Sequence, residues 1–141
     1  MSFNKVFRVV RDPVEFEEVT QFFRQNYSLI KEIYLSGVAN SVFPNFSWLD
    51  FSDYCLNTIK VVDKNCTISK VDMAYIATNV ELVDVGSNPD RDLNRYEFLE
   101  ILVRLANDKY RVPKICDSFA GALRNLFKDC LVPNYKPPFM W

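Results

Sequence analysis

Apolar residues recur at helical spacing along most of the chain, and this periodicity is the strongest constraint on its fold. The first run opens with three agreeing start signals, which are Asp12 as N-cap, Pro13 at the first helical position and Glu15 at the third. This helix is predicted to continue to Gly37. Its apolar face comprises Val19, Phe22, Phe23, Tyr27, Ile30, Ile33 and Tyr34. The sequence therefore predicts an all-α fold.

Four further helices follow from the same pattern. Ser47 is predicted to cap the second and Ser69 to open the third. The fourth is predicted over 95–110 and is ended by Pro113, which follows it. The fifth is predicted over about 114–131. The residues predicted to face inward are Phe51, Tyr54, Cys55, Thr58 and Ile59, then Met73, Ile76, Ala77 and Val80, then Phe98, Leu99, Leu102, Leu105 and Ala106, and finally Ile115, Phe119, Leu123, Leu126, Phe127 and Cys130.

The segment 86–98 carries oxygen-bearing side chains at regular intervals before the fourth helix. Numbered so that Glu97 is position 12, it has Asn88, Asp90 and Asp92 at positions 3, 5 and 7, which are ligand positions of an EF-hand calcium loop. The segment resembles that loop. The resemblance implies a helix-loop-helix unit in which Asn88, Asp90, Asp92 and Glu97 are the candidate metal ligands.

Two departures from the EF-hand pattern weaken the predicted calcium site. Gly86 at position 1 offers no side-chain oxygen, and Arg91 brings a cation and a Cβ to the turn that favours Gly. The alternative interpretation is a polar loop in which Asn94 and Glu97 cap the next helix. We expect no resident cofactor, with calcium as the alternative.

A second, more degenerate copy of the loop lies upstream, at 39–50. In the same frame Phe46 occupies the apolar position that Leu93 occupies downstream, while most ligand positions lack a charged oxygen donor. We expect Phe46 and Leu93 to pair across a short two-stranded ribbon. The two predicted hands span about 22–60 and 69–110.

The two frames together resemble the degenerate EF-hand-like, calmodulin-type domains of protist and ciliary proteins, over about residues 14–110. The resemblance implies paired helix-loop-helix units within one helical domain at 13–131, after an N-terminal arm at 1–12 and before an extended tail at 132–141. The additional helix 114–131 either fills the groove in which sensor EF-hands receive a target helix or packs on the back of the domain.

Composition narrows the functional classes. Seventeen Lys and Arg nearly balance 18 Asp and Glu, so no net charge favours nucleic acid or an anionic membrane. No run approaches the roughly 20 apolar residues of a membrane span. The four Cys form no C-x-x-C pair and the chain has no His, which disfavours a zinc site and the usual catalytic triads. The thiols are expected to be reduced core residues of a cytoplasmic protein.

Large aromatic and apolar side chains provide the candidate interaction residues. Prolines in the tail favour an extended path, and the chain ends on three bulky side chains that are costly to leave in water. The tail is expected to dock either on its own domain or on a partner. The candidate interaction residues are Trp48, Tyr135, Phe139, Met140 and Trp141.

These features favour a non-catalytic protein-protein interaction module over an enzyme. It would be an adaptor or structural subunit of a larger assembly, cytoskeletal or axonemal if the ciliary resemblance holds, with a protein or helical peptide as partner. One alternative is a calcium-responsive regulator that uses the loop at 86–97 alone. Another is a structural subunit of an organellar complex.

Overall fold

The computed structural model describes residues 9–38, 46–79 and 95–134, except for the side chains of Arg95 and Tyr96. Within these ranges every regular element is a helix and no extended strand is found, which confirms the all-α class. Three helices end in a wider, π-type turn. The elements are α1 (Pro13–Gln25), α2 (Tyr27–Val38), α3 (Trp48–Asp53, then Tyr54–Thr58), α4 (Ile68–Asn79), α5 (Arg95–Ala106, then Asn107–Arg111) and α6 (Phe119–Leu126, then Phe127–Leu131), followed by a helical turn at Val132–Asn134.

The first predicted helix begins where its start signals indicate but is divided in two. The Asp12 carboxylate accepts from the Val14 N–H at 2.8 Å, which confirms the predicted cap. The helix ends at Asn26, whose backbone leaves helical geometry (φ −115°, ψ 15°) and whose amide donates to the Phe22 carbonyl at 2.9 Å. The Phe22 carbonyl also accepts the Asn26 backbone N–H at 3.1 Å, and the Asn26 carbonyl accepts the Ile30 N–H at 2.9 Å. The interruption is therefore local, and the apolar spacing continues across it.

Two other helix starts follow from hydroxyl caps. The Ser47 hydroxyl accepts from the Asp50 N–H at 3.2 Å, as predicted. Helix α4 begins earlier than expected, because the Thr67 hydroxyl accepts from the Lys70 N–H at 3.3 Å. Thr67, and not Ser69, is therefore the capping residue of α4.

The buried face of α4 also differs from the prediction. Its inward residues are Val71, Ala74, Tyr75 and Thr78. Met73 and Ile76, predicted to face the core, are 68% and 61% exposed. The prediction was wrong because α4 carries apolar residues on two stripes, and spacing alone cannot choose between them.

Helix α6 is shorter at its start and longer at its end than the sequence predicts. It begins after the cap Ser118 and not near 114, so Ile115 lies in the preceding turn and is 59% exposed. Helical geometry continues through Pro133 to Asn134, into the segment predicted to be extended. The remainder of the tail, 135–141, lies outside the described residues.

Helix α5 occupies the centre of the fold. It packs against α2, α4 and α6, and nearly every side chain along it is buried. Its buried apolar residues are Phe98, Leu99, Ile101, Leu102, Val103, Leu105 and Ala106. Glu97 and Glu100 are fully buried as well, and Glu100 pairs with Arg104 at 3.0 Å.

An aromatic cluster joins α5 to the first half of the domain. Phe46 is fully buried, and its ring centroid lies between 5.0 and 5.8 Å from those of Tyr34, Phe51, Tyr54 and Phe98. Geometries of this kind stabilise aromatic pairs beyond their buried area. The expected partner of Phe46 lies outside the described residues, so the predicted ribbon and the pairing of the two hands stay predictions.

Gly37 is required where α2 passes over this cluster. A Cβ at Gly37 would lie 2.4 Å from the Phe46 ring and 3.1 Å from the Tyr54 ring. We therefore expect Gly37→Ala to lower the free energy of unfolding by about 1–3 kcal/mol, because overpacking outweighs the gain in helix propensity. Urea denaturation followed by circular dichroism measures the change.

Gly121→Ala is the matched control. It is also a helical glycine, and its added Cβ would meet the Ser118 hydroxyl at 3.0 Å and atoms of Arg124 and Cys116 only at 4.0 Å. We expect a smaller loss, or a gain, in stability. Equal losses for both variants would contradict the proposed close packing at Gly37.

Candidate functional site

Trp48 is the one candidate interaction residue within the described ranges, and its indole is held in a fixed orientation. It opens α3 and is 50% exposed. Its indole N–H donates to the Asp72 carboxylate on α4 at 2.9 Å, and the Ser52 hydroxyl donates to the same oxygen at 2.9 Å. Asp72 therefore links α3 to α4 and fixes the half-exposed indole.

Other exposed apolar side chains lie on α3 and α4, the two helices that the Trp48–Asp72 hydrogen bond joins. Ile68 and Ile76 lie one helical turn on either side of Asp72, and are therefore on the same face of α4. We call these residues the Trp48 surface: Trp48, Leu49, Ile68, Met73 and Ile76, all exposed. Single exposed apolar residues are ordinary, but a group of this size is typical of a contact surface.

Of the four candidate calcium ligands, only one lies within the described residues. Asn88, Asp90 and Asp92 lie outside the described residues. Glu97 is described, and its side chain is fully buried in the first turn of α5. Within the described ranges no group of three or more metal-ligating side chains comes together.

The remaining candidate interaction residues, Tyr135, Phe139, Met140 and Trp141, also lie outside the described residues. The described chain ends at Asn134, whose amide donates to the Ile59 carbonyl at 3.1 Å and to the Cys130 carbonyl at 2.8 Å. The start of the tail is thus fixed beside the end of α3.

A buried lysine links α5 to the segment between α3 and α4, which sequence reasoning did not predict. The Lys109 ammonium donates to the Val61 carbonyl at 3.0 Å and forms an ion pair with Asp63. Burial opposes ionisation of Asp63, but the bonds from Lys109 and from the N–H groups of Cys66 and Asn65 outweigh it and lower the pKa of Asp63. The available signal was spacing, because Lys109 lies seven residues after Leu102 on the buried face of α5.

A groove of about 340 Å³ runs between α4 and α5. Its walls combine charged, amide and apolar side chains, and sequence reasoning did not predict it. Six of its lining residues are Lys70, Met73, Ala77, Arg104, Asn107 and Asp108. Met73 belongs both to this groove and to the Trp48 surface.

The four thiols are free, and three of them are buried in the core. Burial raises the pKa of Cys55 and of Cys130, and raises that of Cys66 to about 12. These three thiols therefore stay protonated at neutral pH. Because the thiolate is the reactive form, their environment does not favour nucleophilic chemistry.

Comparison with known proteins identifies no relative. No protein-family model matches the sequence, and neither the curated proteins nor the solved structures give a significant match. Among the described helices, none is both long enough and apolar enough to cross a membrane.

The Lys109 contacts predict a stability defect. We expect Lys109→Met to lower the free energy of unfolding by about 1–3 kcal/mol, because the Val61 carbonyl and the Asp63 carboxylate lose a buried donor. Lys128→Met, which removes an exposed lysine, is the matched control and should leave stability within about 0.5 kcal/mol. Urea denaturation measures both changes.

The stability lost in Lys109→Met is expected to depend on pH. The pKa of Asp63 is lower in the folded chain, so its contribution to stability is present above its unfolded value of about 4 and is lost as the pH falls through the folded value. The difference between wild type and Lys109→Met should therefore shrink below about pH 4. A difference that is constant across this range would contradict the assigned ion pair.

Proposed function

We propose that this chain is a non-catalytic protein-protein interaction module, serving as an adaptor or a fixed structural subunit of a larger assembly. The observation that carries the proposal is the Trp48 surface. There a half-exposed tryptophan is fixed by Asp72, and exposed aliphatic and methionine side chains lie on the same two helices.

The physical basis is the cost of ordering a contact residue. Tryptophan is enriched among the residues that dominate binding free energy at interfaces. Immobilising a side chain on binding costs free energy, so an indole already fixed by a hydrogen bond requires less ordering. Met73 adds a flexible side chain that can adapt its shape to a partner.

We further propose that the helices form paired EF-hand-like units that are stable without calcium. The described helices flank both loops, with α2 and α3 around the first and α4 and α5 around the second. Contacts made by the chain itself also support the proposal, because Asp72 joins α3 to α4 and Lys109 joins α5 to the preceding segment. The cytoplasmic setting rests on the reduced thiols expected from the sequence, and the cytoskeletal or ciliary setting rests on the family resemblance alone.

Affinity purification from the native cell tests the role of the Trp48 surface. We expect the tagged wild type to retain a reproducible set of partners and Trp48→Ala to lose them, because the anchoring side chain is gone. Leu35→Ala is the matched control, since Leu35 is equally exposed, at 49%, but lies on α2. Quantitative mass spectrometry compares the three samples.

Retention of all partners by Trp48→Ala, with both variants folded by circular dichroism, would contradict the proposal. Co-purification of an intact organellar complex would instead favour the alternative of an organellar subunit.

Calcium binding is tested separately. We expect isothermal titration of the purified chain with calcium to show no saturable micromolar binding, because Gly86 gives the loop at 86–97 no side-chain oxygen at its first position. Micromolar binding that Glu97→Gln abolishes would overturn the proposed calcium independence. It would identify the chain as a calcium-responsive regulator.

A further inference from the structure

We draw no further inference here: the strongest candidate, the exposed apolar face of α3 and α4 at the Trp48 surface, belongs to the site already described, and nothing within residues 9–38, 46–79 and 95–134 shows what covers it.

Discussion

Burial of α5 on several sides at once is the constraint on which the rest of the structure depends. A helix packed against α2, α4 and α6 has little solvent-facing surface, so its charged residues must enter the interior or end at its edge. Charged groups are buried at acceptable cost only when they are paired or hydrogen-bonded. Glu100 meets this requirement through Arg104, and Lys109 meets it through Asp63 and the Val61 carbonyl.

The orientation of α4 follows from its contacts with α3 and with α5. The Tyr75 hydroxyl donates to the Phe46 carbonyl at 3.2 Å, and Val71, Ala74 and Thr78 pack on the same side. Turning this stripe inward turns Met73 and Ile76 outward. The exposed apolar surface is thus the consequence of a packing choice between two apolar stripes on one helix.

Local signals in the sequence predicted local structure well. Helix starts at Asp12 and Ser47 depend on a side chain and a backbone N–H two or three residues apart, so the sequence contains all the information they need. The all-α class follows from the apolar spacing for the same reason. Where two local signals compete, as at Thr67 and Ser69, the sequence does not determine which residue forms the cap.

Long-range contacts could not be predicted in this way. The Glu15 carboxylate accepts from the Phe119 N–H at 3.2 Å, across 104 positions of the chain. The partnership of Lys109 with Asp63 spans 46 positions. No periodicity encodes which carboxylate meets which donor.

The chain's own links between helices favour a fixed module over a switch. A calcium sensor requires two arrangements of its helices that differ by only a few kcal/mol, so that the ion can select one of them. Moving α3 away from α4 here would break two hydrogen bonds to Asp72. Moving α5 from the segment before α4 would leave Lys109 buried without its acceptors, which by itself costs on the order of 1–3 kcal/mol. With both links opposing rearrangement, a partner of the proposed module would gain most by binding surfaces that are already in place.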